Sequence, residues 1–343
     1  MSVPPSAADA GRMALILSGG VDTGAVMEAL AELGVKPGLA LTVFADASAT
    51  DRPYCAAIAA RHGLKHVAIE AGPDELLDQP LKLCVEVLGA FDGMELRNSI
   101  VVARALVEAK KLGIEYVLTG DGSDELLGGY SFTWGSEDPL WSEKRDQMCS
   151  RWTFSAPVLG KHLGLRVTSP FTQDSFKEWA TTLGKDDCIG ERMLQVAPSD
   201  PKEQRRTGKI PLREAFPESL SAWRRKDPIE VGSGSTILGK DDGKFFHEKT
   251  TSEGFTKEQE KIEAADGVVI RNPEHLFYYK VWKQVFPDAL SSELANPHEY
   301  PSLPQRDSSG DHPDACVGCK FLLKSPEAMF CHVCGAWPAR KSS

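Results

Sequence analysis

Short apolar runs alternate with amphipathic segments over roughly the first 120 residues of the chain. The run at residues 14–17 is continuously apolar, a Ser/Gly turn follows it, and Val26, Leu30 and Leu33 then share one face of a predicted helix. The same alternation predicts strands at 39–44, 66–69 and 116–118 and helices at 54–62 and 99–112. Strands that alternate with helices pair in parallel through right-handed crossovers. The pattern therefore predicts an α/β fold with a doubly wound parallel sheet.

The second half of the chain has a different pattern. Strand signals fade after about Trp134 and helical ones extend to residues 276–286, which predicts a helical lobe that covers the sheet. A stretch rich in Pro, Ser, Asp and His then separates this lobe from a cysteine-rich tail. The predicted division is a disordered N-terminus at 1–12, a main domain at 13–295, a flexible linker at 296–313 and a small ribbon at 314–338.

Composition and charge exclude several classes of protein. The chain has 343 residues, of which 41% are apolar, so it can bury a sizeable core. Its formal charge is -10, with 39 basic against 49 acidic side chains, which argues against a general nucleic-acid coat. No apolar run reaches the roughly 20 residues that span a bilayer, and the N-terminus lacks a basic flank with an apolar core. We therefore expect a soluble cytoplasmic protein with no membrane partner.

The eight cysteines fall into two groups. Cys55, Cys84, Cys149 and Cys188 stand alone in apolar stretches, where a reduced thiol acts as a small hydrophobic side chain. The other four form two CxxC pairs in the tail: Cys316, Cys319, Cys331 and Cys334. This spacing is typical of a closed tetrahedral Zn²⁺ site, and it suits a reducing compartment. A structural zinc ribbon is the favoured interpretation, with an iron–sulfur centre or free thiols as alternatives.

The cysteine tail is also locally basic, with Lys320, Lys324, Arg340 and Lys341. A solvated basic face explains these side chains most simply. Binding of a protein partner or of RNA by the ribbon stays open, with RNA the less favoured of the two.

The turn after the first strand carries the first chemical motif, SGGVDT at residues 18–23. Gly19 and Gly20 let the backbone approach an anion closely, and the hydroxyls of Ser18 and Thr23 add donors at a helix N-terminus. The motif lacks the lysine of a Walker loop, but Asp22 provides a carboxylate that could hold Mg²⁺ on a pyrophosphate group. The pattern predicts a phosphate-binding loop, and a plain helix-capping turn is the alternative.

The SGGVDT loop resembles the pyrophosphate loop of the ATP pyrophosphatases. A second segment, VLTGDGSDELLGGY at 117–130, is similar to the GEGSDE and GGY region of asparagine synthetases and β-lactam synthetase. Further similar segments are ELRNS around Arg97, SPF at 169–171, GKIPLREAF at 208–216 and WRRKDPIEVGSG from Trp223. The resemblance to the asparagine synthetase family spans roughly residues 13–287, and it identifies 13–295 as an ATP pyrophosphatase domain of that type.

The resemblance implies a ligase that uses ATP and Mg²⁺. In this family a carboxylate is joined to AMP with release of pyrophosphate, and ammonia or an amine then attacks the acyl-adenylate. By resemblance, aspartate and ammonia are the default substrates. The phosphates would be bound by the loop residues Ser18, Gly19, Gly20, Asp22 and Thr23, and the rest of the nucleotide site would be formed by Phe44, Thr119, Gly120 and Asp124. Mg²⁺ would be held by Asp22 and Asp124. Catalysis would depend on Lys209, Asp121 and Arg97.

Three departures from the family pattern change these expectations. The family's glutaminase half and its N-terminal catalytic cysteine are missing, and residue 2 is Ser2. We therefore expect that this chain does not hydrolyse glutamine. Ammonia would then come from a separate glutaminase partner or from solution. The glutamate of GEG is Asp121, whose side chain is one methylene shorter. The family's PFLD reads PFTQ, so Gln173 replaces an acidic side chain, and an altered substrate follows unless Asp174 substitutes.

Two other functions compete with this interpretation. The same ATP chemistry could adenylate an RNA base or a sulfur acceptor, as in other enzymes with this loop and a zinc module, and the basic tail motivates that alternative. The departures at Asp121 and Gln173 motivate another, an inactive nucleotide-binding scaffold that uses the ribbon to bind a partner.

Overall fold

Five parallel strands in the computed structural model form the sheet that the sequence pattern predicts. Their order is β3-β2-β1-β4-β5. The strands are β1 Met13–Ile16, β2 Leu39–Phe44, β3 His66–Glu70, β4 Tyr116–Leu118 and β5 Arg166–Thr168. Sequence order reverses at β1, which lies between β2 and β4, so this sheet has a topological switch point beside β1. The predicted α/β class with a doubly wound parallel sheet is confirmed.

The structure describes residues 7–239, 244–247, 251–290, 299–309 and 311–341. The chain divides into a first unit, made of Met1–Glu70 and Ala105–Gly234, and a second unit, made of Ala71–Arg104 and Ser235–Ser343. The predicted disordered N-terminus lies partly outside the described residues, and residues 7–12 form a short 3₁₀ helix. The four predicted segment boundaries stay a prediction.

The first unit contains the sheet, most of its covering helices and a hairpin. The central strands β1 and β2 are buried almost throughout because both faces of the sheet are covered. The helices are α1 Val21–Glu32, α2 Arg52–Arg61, α6 Ser123–Leu126, α7 Leu140–Arg151, α8 Ser155–Leu163, α9 Asp174–Thr181, α10 Lys185–Cys188, α11 Ile210–Ala215 and α12 Ile229–Ser233. The hairpin pairs β6 Gly190–Leu194 with β7 Glu203–Thr207 in antiparallel register.

The second unit is helical around an aromatic core. Its helices are α3 Pro73–Leu76, α4 Gln79–Leu88, α13 Lys244–His247, α14 Ser252–Asp266 and α15 Pro273–Val285, and α5 Gly93–Lys111 contributes residues to both units. The Trp282 ring lies 5.3 Å from Phe91 and 5.8 Å from Phe321, which belongs to the cysteine tail. The tail therefore packs into this core. Within the described residues, no helix combines the length and the apolar character that a membrane crossing requires.

The pattern after Trp134 is only partly as predicted. Helices dominate there, but β5 extends the sheet and the β6–β7 hairpin forms, although the sequence lost its strand signals in this region. β6 and β7 carry mostly charged or polar side chains that stay exposed, so backbone pairing rather than an apolar face stabilises them. Of the predicted linker at 296–313, residues 299–309 and 311–313 are described, and Leu303 and Arg306 are buried there.

Candidate active site

The phosphate-loop candidate lies between β1 and α1, at the carboxyl end of the central strand. The Thr23 hydroxyl donates to the Ser18 carbonyl at 2.8 Å and accepts from the Ser18 N–H at 3.1 Å, so the two residues close the loop on itself. Gly20 is the N-cap of α1, and no side chain caps the helix. The first N–H groups of α1 therefore remain available to an anion.

A cluster of opposite charges lies beside this loop. The Lys209 ammonium contacts both oxygens of Asp22, with Nζ to Oδ2 at 2.6 Å, and it lies 2.8 Å from Asp124 Oδ1. Lys226 forms a second ion pair with the same Asp124 oxygen, and Ser123 donates a hydrogen bond to Asp22. The motifs after β1 and β4 are thus joined through a lysine that is distant in sequence.

Burial and charge act against each other in this cluster. The Lys209 side chain is only 3% exposed, and its burial would favour the neutral amine. The carboxylates of Asp124 and Asp22 outweigh this effect and raise the pKa of Lys209. Burial likewise disfavours the charged form of Asp124, but Lys209 and Lys226 lower the pKa of that carboxyl below its ordinary value. The opposite charges therefore favour the ionised forms of Lys209 and Asp124.

The backbone around Lys209 is tightly constrained. Lys209 has a left-handed conformation, with φ 61°, and its N–H donates to the Leu127 carbonyl at 2.8 Å. Gly208 approaches so closely that an added Cβ would lie 1.9 Å from the Gly128 oxygen, and a Cβ on Gly129 would lie 1.8 Å from Asp124 Oδ1. Only glycine fits at 208 and 129, because backbone and carboxylate occupy the space of a side chain.

Replacing Gly208 with alanine tests this constraint. We expect Gly208→Ala to lower the free energy of unfolding by at least about 2 kcal/mol, because the Gly128 carbonyl must move. The control is Gly135→Ala, since an added Cβ there meets no atom within 4 Å. Urea denaturation of both variants measures the difference. Equal stability of the two variants would show that the 208–128 contact yields without cost.

Asp121 follows β4 and is held by its neighbours. Its carboxylate accepts a hydrogen bond from the Thr119 hydroxyl at 2.8 Å, and its carbonyl accepts one from Ser169 Oγ at 2.7 Å. Burial raises the pKa of Asp121, and the charges of Asp22 and Asp124 add to that effect while the Thr119 hydroxyl opposes it. A carboxylate with a raised pKa is well suited to accept a proton from an amine.

Gln173 stands at the position where the family's PFLD motif has an acidic side chain. Gln173 turns its amide to Thr168 Oγ1 and to the Ser169 carbonyl, both at 3.1 Å. Asp174 is exposed as the first residue of α9. Gln173 thus holds the SPF turn in place, and nothing in these contacts gives Asp174 the role of the missing carboxylate.

The remaining predicted residues have different surroundings. Phe44 ends β2 and is buried with the Arg52 guanidinium 4.2 Å from its ring centroid, and Gly120 lies against Asp22, where an added Cβ would be 2.8 Å from the Asp22 Cβ. Arg97 belongs to the second unit, where its Nη1 forms an ion pair with Glu274 Oε2 at 2.6 Å. The structure therefore brings the loop residues, Gly120, Asp124 and Lys209 together around Asp22, while Phe44 contacts Arg52 and Arg97 has a buried carboxylate as its partner.

The sequence pattern does not predict a functional role for one residue of the cluster, Lys226. Lys226 contacts Asp124 and lies 4.6 Å above the ring of Tyr130, whose hydroxyl donates to Glu125 at 2.8 Å. Burial and the neighbouring Lys209 charge lower the pKa of Lys226. The residue belongs to the WRRKDPIEVGSG segment, but its side-chain position depends on a contact across about one hundred residues.

The cluster carries groups that could hold Mg²⁺ and phosphate oxygens. Asp22 and Asp124 offer hard carboxylate oxygens beside a helix N-terminus, and Lys209 and Lys226 supply positive charge for phosphate oxygens. These residues fit a magnesium-bound triphosphate, and the lysines would exchange part of their present carboxylate contacts for phosphate.

The four tail cysteines form a second candidate site, in the second unit. Their sulfur atoms all lie within 4.8 Å of one another, with Cys316 and Cys334 3.7 Å apart and Cys319 and Cys331 3.6 Å apart. A tetrahedral site with Zn–S bonds of about 2.3 Å requires sulfur separations of about 3.8 Å. The Gly318 N–H also points to Cys316 Sγ at 3.3 Å, as expected around a thiolate. The cluster fits a closed zinc site.

Comparison with known proteins identifies a family whose sequence model matches this chain. The sequence model of the asparagine synthase family matches residues 7–184, just over half of the chain. A probable glutamine-hydrolysing asparagine synthetase of Dictyostelium discoideum is 25% identical over 190 residues, which are 50% of this chain and 31% of the relative. The chain thus spans less than a third of that relative's length.

Among solved structures, a predicted subunit of tRNA methyltransferase from Methanocaldococcus jannaschii is similar to this chain. The match has 12% identity and a TM-score of 0.29, and it covers 62% of this chain and 91% of the other. The likeness is weak.

Proposed function

Because the chain belongs to the asparagine synthase family, we propose that it is an ATP-dependent carbon–nitrogen ligase. In this proposal a carboxylate is activated as an acyl-adenylate, and ammonia or an amine then attacks it. The contact of Lys209 with both Asp22 and Asp124 is the observation that carries the proposal, because it joins the two motifs that resemble the family into one charged site.

The chemistry requires two displacements. A carboxylate oxygen of the substrate attacks the α-phosphorus of ATP, the bond to the β-phosphate breaks, and pyrophosphate leaves. The amine nitrogen then attacks the acyl carbon, the bond to AMP breaks, and the amine gives up a proton. Magnesium, when bound, neutralises charge on the phosphates.

The residues of the cluster suit distinct parts of this reaction. The N–H groups at the start of α1 bind phosphate oxygens, and Asp22 and Asp124 hold the metal. Lys209 and Lys226 stabilise the negative charge that develops on the phosphates in the transition state. Asp121, with its raised pKa, takes the proton from the attacking amine. For Arg97 we propose an indirect role, since its guanidinium is already paired with Glu274.

The substrate, partners and location are also proposals. Aspartate with ammonia is the default pair, and the uncharged Gln173 supports a different acid. A separate glutaminase could supply the ammonia. The buried, unpaired thiols and the tail cysteines support a cytoplasmic protein with a structural zinc ion.

A pyrophosphate-exchange screen tests the proposal. The purified protein with Mg²⁺ and ATP is given a panel of carboxylic acids, and incorporation of labelled pyrophosphate into ATP is measured. We expect exchange that depends on one acid or a small group of acids, followed by amide formation when ammonium or simple amines are added. The matched control is Asp22→Asn, which keeps the shape of the loop and removes the carboxylate.

The other outcomes of the screen have clear meanings. Exchange that requires RNA instead of a carboxylate would support the RNA or sulfur acceptor. Binding of ATP without exchange, across the full panel and with or without RNA, would contradict the ligase and support a nucleotide-binding scaffold.

A further inference from the structure

Arg213 is a buried cation beside the charged cluster. It lies in α11, one turn after Lys209, and it is 1% exposed. Among the described residues, the ion pairs of Asp22 and Asp124 are formed with Lys209 and Lys226, and not with Arg213. Burial lowers the pKa of Arg213 to about 10, although Asp22 and Asp124 oppose the shift. Because a buried charge is costly, the contacts of this side chain need an explanation.

The guanidinium binds three backbone carbonyls. Its Nε donates to the Gly208 oxygen at 3.0 Å, and its Nη1 donates to the oxygens of Ala222 and Arg224, the latter at 3.0 Å. Each acceptor belongs to a segment that carries a lysine of the cluster. Gly208 directly precedes Lys209, and the 222–224 segment leads into Lys226.

The planar guanidinium therefore fixes the separation of the two lysine-bearing segments. Five N–H donors in a rigid fork hold several acceptors in a defined geometry, which a single ammonium group cannot do. Arg213 is hydrogen-bonded to both segments, through Nε to Gly208 and through Nη1 to Arg224. Their spacing sets where the two ammonium groups approach Asp124.

The same segment also supports the phosphate loop. Arg224 forms an ion pair with Asp51 at 2.5 Å, and its Nη1 fills the space beside Gly19, where an added Cβ would lie 2.2 Å away. Arg213 binds the carbonyl of Arg224. Arg224 thus contacts Arg213 through its carbonyl and the turn through its guanidinium, and the triphosphate is proposed to lie on that turn.

We propose that Arg213 is a positioning residue that holds Lys209 and Lys226 in register with each other and with the glycine loop. It acts through these residues and does not touch the substrate. The inference rests on the proposed function for the identity of the groups on which the lysines act. The contacts that carry it are independent of the reaction.

Lysine labelling tests the positioning role without any activity. Acetylation of each lysine by an amine-reactive ester is followed by mass spectrometry in wild type, Arg213→Gln and Arg213→Lys. We expect Lys209 and Lys226 to react at least about fivefold faster in Arg213→Gln, because their local structure opens more easily. Arg192→Lys is the matched control, since Arg192 pairs with Glu214 of the same helix at the surface.

The labelling result can overturn the proposal. The proposal is wrong if Lys209 and Lys226 are acetylated at wild-type rates in an Arg213→Gln protein that circular dichroism shows to be folded. If Arg213→Gln does not fold, Arg213→Lys decides, because lysine keeps the charge but reaches fewer carbonyls. It should give rates between those of wild type and a fully opened segment, and unchanged rates would contradict the positioning role.

Kinetics separate positioning from simple loss of stability. With an acid that supports exchange, we expect kcat to fall about 10- to 100-fold in Arg213→Gln, while the KM for ATP changes little, and Arg213→Lys to restore part of the loss. A loss confined to KM, or one proportional to the unfolded fraction, would overturn the proposal. If wild type supports no exchange at all, the proposed ligase fails, and labelling still decides the role of Arg213.

Discussion

Replacement of Lys209 by methionine is expected to lower the rate of pyrophosphate exchange by about 100- to 1000-fold. The ammonium group lies between Asp22 and Asp124, where phosphate oxygens and Mg²⁺ are proposed to bind. Methionine keeps most of the side-chain volume and removes the charge. The loss therefore measures charge stabilisation rather than packing. Exchange rates at saturating ATP and acid give the value directly.

The same variant has an expected signature in the absence of substrate. Without Lys209, Asp22 loses its ion pair and Asp124 keeps only the one with Lys226 among the described residues, so the unliganded variant should be less stable by about 3 kcal/mol. Added Mg²⁺ should recover more stability in the variant than in wild type, since the metal replaces the missing charge. Thermal unfolding with and without Mg²⁺ measures both effects.

A matched lysine controls for general effects of the substitution. Lys161 is exposed in the last turn of α8, so Lys161→Met removes one positive charge away from the cluster. We expect its exchange rate and its response to Mg²⁺ to stay at wild-type values. An exchange rate for Lys209→Met within threefold of this control would contradict a role of Lys209 in the transition state.

The elements that sequence reasoning located are those that carry their own signal. Continuous apolar runs bounded by turns gave β2 and β4 with the residue limits that the structure has. β5 was missed because three residues, one of them a charged arginine, do not form such a run. The β6–β7 hairpin was missed because most of its side chains are charged or polar and form no apolar alternation. β5 depends on pairing with β4, which is about fifty residues earlier in the sequence, and the hairpin depends on backbone pairing between its own two strands.

The residues of the candidate site also differ in whether the local sequence pattern predicts them. Asp22 and Asp124 stand in glycine-rich turns after buried strands, so local pattern was enough to select them. Lys226 and Arg213 lie in segments that resemble the family, but nothing local gives them a role in the site, since a lysine or arginine in a polar segment usually lies at the surface. Their importance appears only when the fold brings 208–213 and 222–226 against the two motifs.

Removal of the metal from the cysteine tail is the second prediction with a large expected effect. Structural zinc contributes about 10–16 kcal/mol of binding free energy in small zinc modules. Here the cysteine loops are bound to the rest of the second unit through their backbone. The Phe91 N–H donates to the Val333 carbonyl at 2.7 Å, and Arg271 Nη2 donates to the Cys334 carbonyl at 2.5 Å. Loss of the metal should therefore unfold more than the tail.

Cys331→Ser tests this coupling. We expect the variant to lose bound zinc, measured as metal content per chain, and the second unit to lose protection of its amide hydrogens in α15 as well as in the tail. The Phe91, Trp282 and Phe321 rings pack together, so the tail cannot detach without exposing that core. Strong chelation of the wild type should reproduce the result.

Cys84→Ala is the matched control because Cys84 is a lone buried thiol of the same unit, in α4. It should keep one zinc ion per chain and lose only the stability expected for a small buried side chain, about 1 kcal/mol. Visible absorbance from iron and sulfide in the purified wild type would show that the four cysteines hold an iron–sulfur centre and not zinc. Unchanged amide protection in α15 of zinc-free Cys331→Ser would show that the tail folds apart from the aromatic core, and the coupling argued from Phe91 and Arg271 would then be wrong.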